Sequence, residues 1–300
     1  MNDSSHQTPV RHAATAIVVR EVEGEAQVLM TRRHASLAFM GGMWVFPGGA
    51  LADADQSSTS QALLAHAPTA AHDLRDLTGT PLPALVRHGL AIAAYRETFE
   101  ETGVLLAQRV DGSACDPQQL ARIQAQRRAI AEDAALFAPA LLDAGLRLDI
   151  DRLIYWAHWI TPSTGAPRRF DTRFFVVAAP ASHEHVADTY ETTECVWMSP
   201  TDLLAAAKRG EMKIAQPTRY NLEDLRVSFA KHGSLAALMR IEATRRVGAI
   251  MPKLAKQEGK TIIVMPWDAA YQDLPGESVA PGQYYEPALL ALASQIERDH

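Results

Sequence analysis

Three glutamates, Glu97, Glu100 and Glu101, lie within the segment RETFEETG at residues 96–103. On a helix, residues three and four positions apart share one face, so these carboxylates would form one cluster. Like charges placed this way repel each other, but a hard divalent cation takes oxygen ligands and reverses that repulsion. Gly103 follows at the position where a left-handed helix cap is expected. The segment therefore predicts either a metal site at the end of a helix or a solvated acidic face.

The upstream segment FPGG at residues 46–49 favours the metal site over the solvated acidic face. It ends a predicted strand, where a glycine backbone can approach an ion or a phosphate closely. FPGG and the stretch from Arg96 to Val104 together resemble the signature box of the Nudix hydrolase family, with Thr98 in place of an aliphatic residue. The fold implied by this resemblance is α+β, an α/β/α sandwich around a mixed sheet.

The resemblance also implies roles for individual residues. Glu97, Glu100 and Glu101 would bind Mg²⁺ or Mn²⁺, and the Gly48 carbonyl would join them. Arg96 would orient Glu97 through a charge-assisted hydrogen bond. Gly49 would lie against the substrate.

The box is interrupted, because the distance from Gly49 to Arg96 is much longer than the family pattern allows. His88 stands where the first glutamate would precede the arginine, and Asp55 stands where it would follow the glycine. We expect an insertion over residues 52–83. Such an insertion resembles one branch of the family, typified by a peroxisomal coenzyme A diphosphatase.

This branch resemblance implies hydrolysis of the diphosphate of CoA or acyl-CoA to 3′,5′-ADP and a 4′-phosphopantetheine species. ADP-ribose, nucleotide sugars and dinucleotides are alternative substrates. A nucleotide sensor without catalysis is an alternative of another class, although a sensor has no need of three clustered metal ligands.

The general base and the phosphate-binding groups are less tightly specified. The base is Glu100, Glu101, or an acid of the YETTECVW segment, Glu191 or Glu194. Candidate substrate-binding arginines, each with a structural alternative, are Arg33 near FPGG, Arg173 within a strand beside Asp171, and Arg219 at a helix start.

Several elements must position these residues. Apolar β-rich runs predict strands at 12–20, 28–33 and 43–49, and in the segments LIYWAHWITP, TRFFVVAAP and ECVWMSP. Helical spacing predicts a helix from residue 83 to Gly103 and another over 117–146. We expect a flexible N-terminus over 1–11, a Nudix domain over 12–205 and a packed extension over 206–300. The extension covers the substrate groove or builds a homodimer.

Composition and charge limit the kinds of molecule that the protein is expected to bind. A net charge of −6 and a pI near 6.0 provide no basic surface for nucleic acid or an anionic membrane. Two distant cysteines exclude a zinc knuckle, and the polar start MNDSSHQTPV lacks a signal core. We expect a cytoplasmic enzyme with a small-molecule substrate.

Overall fold

The computed structural model describes residues 9–38, 40–65, 73–164, 168–180, 192–257 and 259–279. Within these ranges, eight strands form one mixed sheet. In chain order they are β1 (Val10–Val22), β2 (Glu25–Arg33), β3 (Trp44–Val45), β4 (Gly48–Ala50), β7 (Ile154–Ile160), β8 (Arg169–Ala178), β9 (Thr192–Met198) and β10 (Ala249–Ile250). Two small ladders pair β5 (Gln108–Arg109) with β6 (Leu146–Arg147), and β11 (Lys253–Gln257) with β12 (Lys260–Val264).

The sheet is mixed because β1 pairs in parallel with β8, and β10 in parallel with β7, whereas the other pairings are antiparallel. Glu23 and Gly24 join β1 to β2, and both have positive φ angles, of 52° and 81°. Two such residues in succession favour a tight hairpin whose twist matches the flanking strands.

Both faces of the sheet are buried, which explains the long apolar runs in its central strands. Because side chains alternate along a strand, neighbouring residues enter different cores. Val18 and Phe175 belong to one hydrophobic cluster, whereas Ile17 and Phe174 belong to the other. The α/β/α sandwich with a mixed sheet is therefore confirmed.

Helices cover the two faces. They are α1 (Ser58–Gln61), α2 (Ala84–Thr102), α3 (Pro117–Gln124), α4 (Arg127–Glu132), α5 (Phe137–Asp143), α6 (Pro200–Lys208), α7 (Gln216–His232) and α8 (Leu235–Glu242). Helix α2 ends at Gly103, whose φ of 72° is the expected left-handed cap. The single helix predicted over 117–146 is wrong, since α3, α4 and α5 divide that segment.

The segment between the two halves of the box is partly helical. A 3₁₀ turn at Asp53–Gln56 precedes α1, and α2 begins at Ala84, directly after the predicted insertion. Beyond residue 205, β10 extends the main sheet at its β7 edge, and β11 and β12 form a hairpin. The division into a Nudix domain and an extension stays a prediction. In the part of the chain that the structure describes, no helix is both long and apolar enough to cross a membrane.

Candidate active site

The three glutamates of α2 reach one cavity of about 1160 Å³. Glu97, Glu100 and Glu101 line it together with Gly48 and Gly49 of β4. Helical spacing explains the shared face of the glutamates, and the pairing of β4 with β1 places the glycines opposite them. The structure thus brings together the two box segments, which are far apart in sequence.

Arg96 is buried at the centre of the site and binds three carboxylates. Its Nε lies 2.8 Å from Asp55 Oδ1, and its Nη2 lies 3.0 Å from Asp55 Oδ2. Its Nη1 donates to Glu97 Oε1 at 2.9 Å and to Glu100 Oε2 at 2.9 Å. The two bonds to Asp55 fix the plane of the guanidinium, because a pair of parallel bonds allows one orientation only. Arg96 therefore orients Glu97, as expected, and Glu100 as well.

Asp55 is the acid that pairs with this arginine. The residue is 1% exposed, and its Oδ2 also accepts a hydrogen bond from the Ala52 backbone N–H at 2.9 Å. The aspartate follows Gly49 at the position where the box has its first glutamate, whereas His88 contacts Gln61 instead. The interrupted box therefore keeps an acidic partner for Arg96.

Burial and charge act in opposite directions on these groups. Burial disfavours the charge on Arg96, but Glu97, Asp55 and Glu100 outweigh it and raise the pKa of the guanidinium. Burial raises the pKa of Glu100 to about 8, with Arg96 opposing the shift and Glu97 adding to it. A cation bound beside this carboxyl would favour its ionised form and lower the pKa again.

Both glycines are required by close contacts. A Cβ built on Gly49 would lie 2.4 Å from Glu97 Oε1, and one built on Gly48 would lie 2.5 Å from the Ala14 carbonyl oxygen. Any other residue at these positions would displace the carboxylate or the neighbouring strand.

The end of α2 is braced by three other elements. Arg127 Nε donates to the Glu100 carbonyl at 2.9 Å, and Gln124 Nε2 donates to the Gly103 carbonyl at 2.5 Å. Thr192 Oγ1 of β9 donates to the Glu101 carbonyl at 3.2 Å. The last carbonyls of a helix have no partner within it, so these bonds satisfy them and hold the glutamates in place.

The donor set fits a hard divalent cation. Glu97, Glu100 and Glu101 supply carboxylate oxygens to one cavity, and carboxylate oxygens are the ligands that Mg²⁺ and Mn²⁺ prefer. In the described ranges, no three acidic, histidine or cysteine side chains are arranged as a complete metal cluster. Glu97 and Glu100 bind Arg96 instead, so a cation would share these carboxylates with the arginine.

The three predicted substrate-binding arginines differ in whether they line the cavity. Arg33 lines the cavity. Arg219 of α7 does not, although the four residues just before it, 215–218, do. Arg173 is fully buried, lies 2.7 Å from Asp171 Oδ2 and donates to the Arg75 carbonyl. These contacts match the structural alternative for Arg173, an ion pair with Asp171, and we assign it no contact with substrate.

Glu194 also lies apart from the cavity lining. Its side chain is half-exposed and pairs with Arg32 at 2.8 Å. Glu191, the other loop candidate for the base, lies outside the described residues. Glu100 and Glu101 are the candidates for the base that line the cavity.

Several residues that the sequence interpretation missed line the same cavity. They include three arginines, Arg11, Arg127 and Arg128, whereas Arg168 of the RRFDTRFF segment, which the sequence had suggested, lines the cavity as well. The basic run ARIQAQRR was the available signal for two of them, but no local pattern links it to the glutamates. The lining also includes an apolar group of nine residues, formed by Trp159 and Ile160 of β7, Phe170 and Phe174 of β8, and Pro162, Pro217, Pro252, Leu254 and Ile263.

A mixed sheet between two helical layers, with the glutamates of an RExxEE helix end beside a Gly-Gly strand at one cavity, defines a Nudix domain. Comparisons with known proteins agree. The family model described as the NUDT19 Nudix domain matches residues 7–225. The chain belongs to this family of Nudix hydrolases.

Two relatives are named acyl-coenzyme A diphosphatase NUDT19. The chicken (Gallus gallus) protein is 32% identical over 65% of this chain and 60% of its own length. The Xenopus laevis protein is 28% identical over 84% of this chain and 73% of its own. A Nudix hydrolase structure from Alicyclobacillus acidocaldarius superposes with a TM-score of 0.62 and 26% identity, over 78% of this chain and 96% of that one. Nudix hydrolases generally use divalent metal ions.

Proposed function

We propose that this protein is a metal-dependent diphosphatase that cleaves CoA or acyl-CoA to 3′,5′-ADP and a 4′-phosphopantetheine species. The observation that carries the proposal is the cavity itself, which has three glutamates beside two glycines at one end and an apolar wall at the other. An acyl-CoA has the matching chemistry, since its anionic diphosphate is joined by a long arm to an apolar chain. The names of the NUDT19 relatives support the same substrate class.

The carboxylates define where the diphosphate would lie. Mg²⁺ or Mn²⁺ held by Glu97, Glu100 and Glu101, with the Gly48 carbonyl, would neutralise phosphoryl charge and acidify a bound water. Glu97 and Glu100 keep their orientation because Arg96 binds both of them and is itself held by Asp55. Positioning of this kind lowers the barrier, since the groups need not reorganise during the reaction.

The reaction is a hydrolysis. A water oxygen forms a bond to one phosphorus of the diphosphate, the bridging P–O bond breaks, and the leaving phosphate departs with the bridging oxygen. Glu100 or Glu101 accepts the proton of the attacking water. Arg33, Arg127 and Arg128 lie on the cavity wall and provide positive charge for the phosphate oxygens.

The test is a hydrolysis panel with purified protein and Mg²⁺ or Mn²⁺. CoA, acetyl-CoA, octanoyl-CoA, ADP-ribose, NADH, diadenosine polyphosphates and UDP-glucose are compared by chromatography of the products. We expect 3′,5′-ADP from the CoA substrates, and a loss of at least a hundredfold in kcat for Glu100→Gln and Glu101→Gln. Glu194→Gln is the matched control, because that carboxylate pairs with Arg32 outside the cavity lining.

The other outcomes are distinct. Cleavage of ADP-ribose or UDP-glucose alone would keep the chemistry and reject the substrate. Tight binding of a nucleotide without turnover would identify a sensor. A loss of activity in Glu194→Gln as large as in Glu101→Gln would move the general base to β9.

A further inference from the structure

The C-terminal part of the chain supplies four of the nine residues that form the apolar end of the cavity. Leu254 of β11 and Ile263 of β12 are cross-strand partners, and both line the cavity. Pro252, just before the hairpin, and Pro217, in the first turn of α7, line it as well. None of these four side chains is charged, so the wall that they form suits an apolar group.

Ile263 is unusually exposed for a residue in this position. The residue is 49% exposed, although it lines the cavity together with apolar residues. Ile262, the next residue, is 36% exposed but is absent from the cavity lining. Because side chains alternate along a strand, Ile263 faces the cavity and Ile262 faces away from it. An apolar ligand in the cavity would cover Ile263 alone.

The distance from the glutamates to this wall can be read from the strand register. Ala50 pairs with Ala13, Ala13 with Thr172, and Thr172 with Trp159, so these four residues form one row across the sheet. All four line the cavity. Neighbouring strands are about 4.8 Å apart, so the row spans roughly 14 Å from the glycine strand to Trp159.

The row continues towards the C-terminal part of the chain. Trp159 pairs with Ile250 of β10, and Pro252 and Leu254 follow within a few residues. The hairpin wall therefore begins about one strand spacing beyond Trp159.

The pantetheine arm has a matching length. The atoms that join its phosphorus to the thioester sulfur equal roughly four residues of extended chain, or about 14 Å. With the diphosphate at the glutamates and the arm along this row, the sulfur lies near Trp159. The acyl chain then begins where the apolar wall begins.

We infer that the β11–β12 hairpin is the acyl-chain subsite of the enzyme, and that Leu254 and Ile263 set its preference for acyl length. This inference rests on the proposed function and adds the direction in which the substrate lies. The adenosine end then extends the other way, towards Arg33 and Met40, which line the cavity from β2 and the loop after it, on the other side of β1 from β8 and β7.

The experiment measures kcat/KM for CoA, acetyl-CoA, octanoyl-CoA and dodecanoyl-CoA with Mg²⁺, in the full-length protein and three variants. A methylene buried against an apolar wall is worth up to about fourfold in kcat/KM. In Ile263→Ser we expect about a tenfold loss for octanoyl-CoA and less than threefold for CoA. Leu254→Trp, which fills the subsite, should lower kcat/KM for dodecanoyl-CoA more than for acetyl-CoA.

Ile262→Ser is the matched control, because it makes the same change on the opposite face of the same strand. It should follow the wild type on every substrate. Equal effects of Ile262→Ser and Ile263→Ser, or a loss in Ile263→Ser that is the same for CoA and octanoyl-CoA, would overturn the subsite. If circular dichroism shows that Ile263→Ser is unfolded, Leu254→Trp tests the subsite through the same comparison of chain lengths.

Failure of the subsite is distinguishable from failure of the proposed function. If the wild type releases 3′,5′-ADP from all the CoA substrates but the variants do not change the chain-length preference, only the subsite is wrong. If the wild type cleaves none of them, the substrate assignment fails and the subsite fails with it.

Discussion

Replacing Asp55 tests whether this aspartate holds Arg96 in place beside the glutamates. Asp55 and Arg96 are 1% and 3% exposed, and two charge-assisted hydrogen bonds join them, at 2.8 and 3.0 Å. Asp55→Ala leaves the Nε and Nη2 of Arg96 without this acceptor in a buried site. We expect the variant to fold with reduced stability and to turn over substrate slowly.

The magnitude follows from the contacts that are lost. Each hydrogen bond to a charged group is worth roughly 1.5–3 kcal/mol, and breaking a buried ion pair costs about 3–5 kcal/mol. Glu97 and Glu100 still neutralise part of the Arg96 charge, so we expect a loss near 3 kcal/mol. Asp55→Asn retains one acceptor oxygen and should lose about 2 kcal/mol.

The effect on catalysis has a separate cause. Arg96 orients Glu97 and Glu100, so a guanidinium free to rotate would leave both carboxylates poorly placed. Loss of a group that orients metal ligands typically costs 10–100-fold in metal affinity or activity, and we expect a fall of about that size in kcat. Urea unfolding followed by circular dichroism gives the stability, and release of 3′,5′-ADP gives kcat.

Asp53→Ala is the matched control, because Asp53 lies in the same 3₁₀ turn but is exposed. It should change stability by less than about 0.5 kcal/mol and leave kcat unchanged. The reasoning is refuted if Asp55→Ala and Asp53→Ala have the same stability and the same kcat.

Three further predictions concern other parts of the molecule. Burial lowers the pKa of His158 to about 4, so the folded protein binds fewer protons than the unfolded chain between pH 4 and about 6.5. Stability should therefore fall as the pH drops through this window, by up to roughly 3 kcal/mol, and His158→Gln should flatten that part of the urea-unfolding profile. Gly49→Ala should keep the fold but lose 10–100-fold in kcat and in Mn²⁺ affinity, because its Cβ would displace the Glu97 carboxylate; unchanged Mn²⁺ binding by calorimetry would contradict this. Arg173→Lys should lower stability by about 2–3 kcal/mol through its lost contact with Asp171, while KM stays within twofold; a large rise in KM at normal stability would restore the substrate-binding role.

The sequence by itself determined the local elements of the site. The spacing of Glu97, Glu100 and Glu101 and the glycine at 103 were enough to predict an acidic helix end, because a helix places such residues on one face whatever packs around it. Apolar runs were enough for the central strands, since residues buried on both faces leave a strong pattern. The family resemblance then followed from these segments.

The pairings between distant segments were decided only by the tertiary structure. Asp55 and Arg96 are separated by 41 positions, and their spacing in sequence does not show that one closes on the other. The sequence allowed Arg173 to pair with either a substrate phosphate or Asp171. Its burial beside Asp171 in the folded protein favours the second of these partners.

The far wall of the cavity is the clearest case. Leu254 and Ile263 belong to an exposed hairpin with no motif, and their place at the cavity depends on β10 joining the sheet beside β7. Strand pairing over such a distance depends on the packing of the whole sheet, whereas helix spacing is a local property of the chain. For this reason the chemistry of the site could be predicted from a few residues, and the shape of its substrate-binding end could not.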